Sequence, residues 1–143
     1  MSMDFIITKL TAKSADQLAI LNKQLIEDEG NAKDLSHHYL CQRMKNWLKD
    51  ERYFGFGIEI EEQMKAYLLA CYEDDFVYLR QLVTDREYRC HGMASALIAH
   101  LEKFVGPSQQ LRLDVLMSNK NAMYFYAKLG FQPFYMAMLK NTL

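Results

Sequence analysis

The sequence predicts one α/β domain of the mixed α+β kind, with elements in the order βααβββαβαβ around a mixed central sheet. Three observations carry this. Apolar residues recur at helical spacing from Leu18 to Ile26; a period of two opens at Tyr53 and is followed by two further apolar runs; and a strand, helix, strand series follows, with Gly92 at its first turn. The 143 residues, half of them apolar and only 2 of them proline, amount to a single domain (1–143) with enough apolar side chain to bury a core.

In chain order, Asp4 to Leu10 holds Phe5, Ile6 and Ile7 without a helical period and reads as a strand, after which Thr11 to Ser14 offers a turn and a helix cap. Leu18, Leu21, Leu25 and Ile26 form one helical face until Gly30 and Asn31 stop the pattern, and this helix ends in the acidic cluster Glu27, Asp28, Glu29. Ser36 caps a second helix with Leu40, Met44, Trp47 and Leu48 on its apolar face, ending before Asp50. Phe54, Phe56, Ile58 and Ile60 then alternate with Tyr53, Gly55, Gly57 and Glu59 in a strand. Short polar connections lead to apolar runs at Met64–Tyr72 and Phe76–Thr84, which together predict a three-stranded antiparallel meander. Gly92 opens a helix with Met93, Leu97, Leu101 and Phe104 on its buried side. Leu111–Leu116 reads as the next strand, joined by a right-handed parallel crossover. Ala122, Phe125, Tyr126 and Leu129 mark a short helix stopped by Gly130, and Phe134–Leu139 reads as a last strand.

Composition removes several function classes. A net charge of −1 leaves no basic field for nucleic acid. No apolar run approaches the ~20 residues that span a bilayer, and the start Met1-Ser-Met-Asp-Phe lacks the basic and apolar stretches of a secretion signal. Cys41, Cys71 and Cys90 are odd in number and widely spaced, which suits reduced thiols and a cytoplasmic location. His37, His38, His91 and His100 fit no metal-ligand spacing, so no metal is expected. The nine methionines, Met117, Met123, Met136 and Met138 among them, read as fillers of core and interface gaps.

The most informative stretch runs from Val77 through Arg89, Cys90, His91 and Gly92 to Leu97, a strand leading through a loop into a helix. Gly92 and Ala94 leave backbone N–H groups uncovered at a helix N-terminus, where unpaired donors and the helix dipole favour a phosphate; Arg89 adds a charge. A tight turn and close helix packing would explain the same small residues. Neither a dinucleotide fingerprint nor a nucleotide P-loop is present.

Arg89-x-x-Gly92-x-Ala94 resembles the acetyl-CoA motif Q/R-x-x-G-x-G/A of the GNAT N-acetyltransferases. The stretch from Ser118 and Asn119 through Ala122 and Tyr126 to Gly130-Phe131 is similar to the family's N-x-x-A-x-x-x-Y-x-x-x-G-F segment. The two motifs and the element order cover nearly the whole chain. The resemblance implies a GNAT fold whose splayed parallel pair, here Tyr78–Thr84 and Leu111–Val115, admits the pantetheine arm of acetyl-CoA as co-substrate. It implies backbone contacts from Leu82, Val83 and Thr84 and a phosphate wrap by Arg89, Cys90, His91, Gly92, Met93, Ala94 and Ser95. It further implies Tyr126 as the acid that protonates the leaving thiolate, with Asn119 near the cofactor arm. A half-buried aromatic on the face of Ala122 and Leu129 is the plainer account of Tyr126. Tyr124, about 160° around the helix, does not substitute for it.

The implied reaction is transfer of an acetyl group to a primary amine, with a small cationic amine as substrate drawn to Glu27, Asp28 and Glu29; a solvated helix end is the plainer account of that trio. No carboxylate stands on the strand before the motif, where Arg80 and Gln81 lie, so the general base is left among Glu27, Asp28, Glu29, Glu59, Asp114 and an ordered water. That gap favours the alternative of a non-catalytic acyl-CoA-binding sensor, and a protein N-terminus or lysine is an alternative acceptor. A thiol nucleophile at Cys90 beside His91 lacks an orienting third group. Tyr53–Phe56 and Phe134–Leu139 are candidate contacts for a homodimer, or core strands.

Overall fold

The computed structural model describes residues 5–30 and 34–143, so Asp4 of the expected first strand and Asn31 of the expected helix stop lie outside the described residues. The chain forms two compact units, Met1–Leu113 and Asp114–Leu143.

The first unit holds β1 (Ile7–Lys9), α1 (Ala15–Asp28), α2 (His37–Lys49), β2 (Tyr53–Ile60), β3 (Gln63–Tyr72), β4 (Val77–Thr84), α3 (Met93–Val105) and β5 (Leu111–Arg112). The strands lie in the order β1-β2-β3-β4-β5, antiparallel as far as β4, with β4 and β5 parallel. This is the mixed sheet the sequence predicts. Ser36 caps α2 as expected, its hydroxyl accepting from the Tyr39 N–H at 3.1 Å. Ser14 makes no such bond at α1, because Ala12–Ser14 is already wound into a 3-10 turn, which takes Ser14 out of the extended geometry a capping side chain needs.

The alternation of β2 divides the core between the two faces of the sheet. Phe54, Phe56 and Ile58 are buried on the α3 side, where the Phe104 ring lies 5.3 Å from Phe54 and 5.1 Å from Phe56, with Met93, Leu97 and Leu101 buried alongside. Phe104 itself is half-exposed, since it closes the end of this layer rather than sitting within it. On the other face, Leu18, Leu21, Leu40 and Met44 of α1 and α2 pack over Tyr67 and Leu69 of β3. Gly55 and Gly57 belong to that face; a Cβ at Gly55 would collide with the Leu68 backbone and Leu10, and one at Gly57 with the side chains of Met64 and Leu10, so the missing side chains make room for Leu10. Because β2 is an inner strand with Phe54 and Phe56 in the core, the expected dimer contact through Tyr53–Phe56 does not hold.

β4 breaks its own alternation. Leu79 lies opposite Ala70 and Gln81 opposite Leu69, so Arg80 is an extra residue, a β-bulge. Val77 and Leu79 therefore face α3, whereas Gln81 and Val83 face α1 and α2.

Two expected strands differ in the structure. β5 ends at Arg112 rather than Leu116; a parallel strand is buried on both faces, and the charged Arg112 and Asp114 interrupt the run. The second unit holds α4 (Lys120–Lys128), and Phe134–Leu139 forms no strand among the described residues. Alternate positions there are apolar on both sides, so no single face is specified for burial, and Phe134, Met136, Met138 and Leu139 are exposed.

Candidate functional site

The edge of β4 is the first component. Its pairing with β5 covers only Val77 with Leu111 and Tyr78 with Arg112, so from Leu79 to Thr84 that edge is unpaired among the described residues. The early end of the parallel pairing agrees with the splayed pair expected from Tyr78–Thr84 and Leu111–Val115. Val83 puts its side chain into the core under α1 and α2, leaving its backbone as the part available to a ligand; Leu82 and Thr84 are half-buried. An exposed strand edge presents alternating N–H and C=O groups, the chemistry that pairs with the amides of an extended arm.

The turn into α3 is the second component. Asp85 caps a 3-10 turn at Arg86–Tyr88 by accepting from the Glu87 N–H at 3.0 Å. The backbone then adopts positive φ at Cys90 (+67°) and at Gly92 (+82°), the residue that caps α3. Left-handed residues of this kind curl successive N–H groups into an anion-binding concavity. The first hydrogen bond of α3 runs from Ala96 N–H to Gly92 C=O at 3.0 Å, and no side chain caps the helix, so the Met93, Ala94 and Ser95 N–H groups precede the ladder and need an acceptor from elsewhere. Cys90, His91 and Gly92 are exposed; Met93 turns its side chain into the core and offers only its backbone.

Arg89 joins this turn to the acidic end of α1. Its guanidinium pairs with Asp28, and its Nε donates to Thr84 C=O at 3.4 Å. Arg86 pairs with Glu27 at 2.9 Å and Asp28 at 3.1 Å. Three carboxylates at a helix C-terminus oppose the dipole, and the two arginines offset this. Arg89 foremost, with Arg86, holds the Asp28 carboxyl below its ordinary range, which makes it a poor proton acceptor. Of the expected amine-binding trio, only Glu29 has no partner among the described residues.

In the second unit, Asn119 caps α4, its side-chain oxygen accepting from the Ala122 N–H at 3.1 Å. Tyr126 is half-buried between Phe125 and Phe131, with ring centres 5.2 and 5.6 Å away. Tyr124 is exposed and carries Lys128 over its ring at 4.5 Å.

Several features escape sequence reasoning. The left-handed Cys90 has no signal, since neither glycine nor asparagine marks it. The pairing of Arg86 and Arg89 with α1 spans about sixty positions and leaves no local pattern. The bulge at Arg80 could be glimpsed only in the loss of alternation between Leu79 and Val83. Cys41 and Cys71 are buried, and their thiols are pushed up, Cys41 chiefly by its contact to Asp16 and Cys71 by burial; Cys90 alone is exposed. Among the described residues no His, Cys, Asp and Glu cluster has metal-binding geometry, and no helix is long and apolar enough to cross a membrane.

These components, an unpaired strand edge and an uncapped helix N-terminus on a mixed α/β fold, leave backbone hydrogen-bonding groups without partners among the described residues. The Acetyltransferase (GNAT) family model matches residues 19–131, and the chain belongs to that family of acetyl-CoA-dependent N-acetyltransferases. Among solved structures, a possible acetyltransferase from Clostridium difficile 630 is 23% identical with a TM-score of 0.79, over 97% of each chain. An aminoglycoside N-acetyltransferase in complex with CoA is 14% identical with a TM-score of 0.80, over 99% of this chain and 97% of that one. A predicted acetyltransferase with acetyl-CoA from Clostridium acetobutylicum is 18% identical with a TM-score of 0.77, over 96% of each. At these identities the likeness is one of fold. No curated protein matches the chain.

Proposed function

We propose that the chain works as one cytoplasmic domain that transfers the acetyl group of acetyl-CoA directly to the primary amine of a small molecule. The observation that carries this is the unpaired edge of β4, which leads into the open N-terminus of α3. Acetyl-CoA as co-substrate supplies the thioester that makes the acetyl carbon electrophilic. Backbone groups of Leu82, Val83 and Thr84 hold the extended arm and polarise the carbonyl. The Met93, Ala94 and Ser95 N–H groups, in the turn formed by Cys90, His91 and Gly92, take the diphosphate, and Arg89 exchanges part of its bond to Asp28 for a phosphate oxygen.

The amine nitrogen loses a proton and bonds to the acetyl carbon as the carbon–sulfur bond breaks; Tyr126 gives its phenolic proton to the departing thiolate. A phenol with pKa about 10 and a thiol near 8.5 are close enough for that transfer. Asn119 contributes by setting the start of α4 and hence the direction of Tyr126. With Glu27 and Asp28 engaged by arginines, Glu29 is the member of the acidic trio that receives the ammonium group, and water carries the proton away.

The absence of a carboxylate at Arg80 and Gln81 favours a second reading, a sensor that binds acyl-CoA without turnover. Release of CoA from acetyl-CoA against a panel of small amines and amino-terminal peptides separates the two. Turnover on a small amine is the expected result; turnover on peptides alone transfers the activity to protein acceptors, and binding without any turnover overturns the catalytic reading.

A further inference from the structure

On the face of the sheet away from α3, two arginines meet on one aromatic ring beside the bulge of β4. The extra residue of the β4 bulge, Arg80, is exposed and lies 4.8 Å from the centre of the Trp47 ring. Arg43 lies 4.7 Å from the same ring and donates from Nη2 to Asn22 Oδ1 at 2.9 Å. No carboxylate pairs with either guanidinium among the described residues. Two like charges on one aromatic ring repel each other, and that arrangement is relieved by an anion.

A second, independent observation points the same way. Asn22 is only 1% exposed, yet its Nδ2 has no hydrogen-bond partner, and neither has the buried Nε of Arg43. Buried donors are nearly always satisfied, by protein groups or by ordered water, so two left open along the Arg43–Asn22 contact mark a polar spot that takes an acceptor. The polar track continues to β4, where the buried Tyr67 hydroxyl donates to Gln81 Oε1 at 2.7 Å. Gln81 is thereby held on this face, one residue before Leu82, the first of the residues proposed to hold the acetyl donor.

The α3 face beside β4 is filled by Met93, Leu97, Ile98 and Leu101. The acceptor therefore approaches from the α2 face, where the side chains at the bulge are polar. Resting on the acetyl-transfer reading above, we infer that Arg80 and Arg43, flanking Trp47, bind the carboxylate of the acceptor, so that the substrate class is an amine that also carries a carboxylate. A guanidinium fork matches a carboxylate in plane and in charge, and its stacking on Trp47 fixes its direction.

Trp47 is the sole tryptophan of the chain, so its fluorescence reports on this site without any need for turnover. The experiment titrates L-alanine, L-leucine, L-lysine and L-glutamate, and the carboxamide of each, against Trp47 emission and then uses the same compounds in the CoA-release assay. The expected result is saturable change in emission with at least one free amino acid and none with its amide, together with a preference in kcat/KM of about tenfold to a hundredfold for the acid. Arg80→Gln, an exposed position whose change leaves the core intact, should remove the preference by raising KM for the acid while the amide is unaffected, and Arg80→Lys should restore part of it. Emission that does not respond to any amino acid, or Arg80→Gln lowering acid and amide equally, overturns the inference even if amines are acetylated. Emission that responds while no compound is acetylated supports the carboxylate site and counts against acetyl transfer.

Discussion

Substituting the two glycines that bracket α3 separates backbone strain from ligand contact. Gly92 (φ +82°, ψ 8°) and Gly106 (φ +79°, ψ 178°) both hold positive φ, and a Cβ built at either meets nothing within 4 Å. A side chain at either position thus costs backbone strain and no collision. That strain is about 1–2 kcal/mol in the left-handed helical region of Gly92 and about 1–3 kcal/mol in the region of Gly106, which is essentially restricted to glycine. For a chain of this size each kcal/mol lowers Tm by about 3–5 °C. Gly92→Glu adds to the same strain a negative charge where the diphosphate is proposed to lie. One opposed pair of charges at about 5 Å costs about 0.8 kcal/mol at the dielectric of water and about 3 kcal/mol at an effective value of 20, which is about fourfold to 150-fold in Kd. Thermal unfolding and calorimetric titration with acetyl-CoA are the paired assays. Gly106→Ala should lower Tm at least as much as Gly92→Glu and leave acetyl-CoA affinity intact, whereas Gly92→Glu should lose affinity on the scale just given. If its Kd stays within twofold of that of Gly106→Ala, the phosphate is not held at this turn.

Three further outcomes follow from the same geometry. Tyr126→Phe should lower kcat by about a hundredfold, the usual scale for a positioned general acid, while calorimetric acetyl-CoA affinity changes little; equal loss in both measurements would make Tyr126 a packing residue. Asp28 has a folded pKa depressed below its ordinary value of 3.8, so its pairing with Arg89 and Arg86 stabilises the fold above that value and ceases to do so as pH falls through the depressed one. Urea midpoints of wild type and Asp28→Asn should therefore differ at pH 7 and converge in strong acid, and a difference independent of pH would refute the ion-pair account. Ser36→Ala should cost about 1 kcal/mol in urea unfolding through the lost cap, and Ser14→Ala distinctly less, because its hydroxyl caps nothing.

Elements with one-sided periodicity were legible from the sequence, and those that depend on a distant neighbour were not. α2 was written in Ser36, Leu40 and Met44, and β2 in the alternation of Phe54, Phe56 and Ile58, because one face of each is committed to the core. Phe134–Leu139 is apolar on both faces, so its sequence specifies a strand without specifying a partner, and the structure forms none. At the site, Gly92 announced the turn because only its residue type suits a left-handed helix cap, and the motif around it pointed to the family. The occupation of Arg89 and Arg86 by Glu27 and Asp28 was hidden, since ion pairs between exposed side chains distant in sequence impose no spacing on either segment. The unneutralised pair Arg43 and Arg80 was hidden for a related reason: they meet on Trp47 across two elements distant in sequence, and nothing local to either segment marks the encounter.

That inserted residue also shapes how the strand can change over generations. The first half of β4 is answerable to α3 through Val77 and Leu79, the second half to α1 and α2 through Gln81 and Val83, and position 80 is the joint between them. Substitutions at 80 can alter the charge beside Trp47 while Val77 and Leu79 keep their packing. Loss of one codon at the joint would remove the bulge: Gln81 would follow Leu79 directly, and the alternation would run on with Gln81 and Val83 still toward α1 and α2 and Leu82 toward α3. A deletion of one residue at the joint would therefore keep the arrangement of faces and remove the arginine beside Trp47, and counting residues across the joint in related chains would reveal which of them have a position for that arginine.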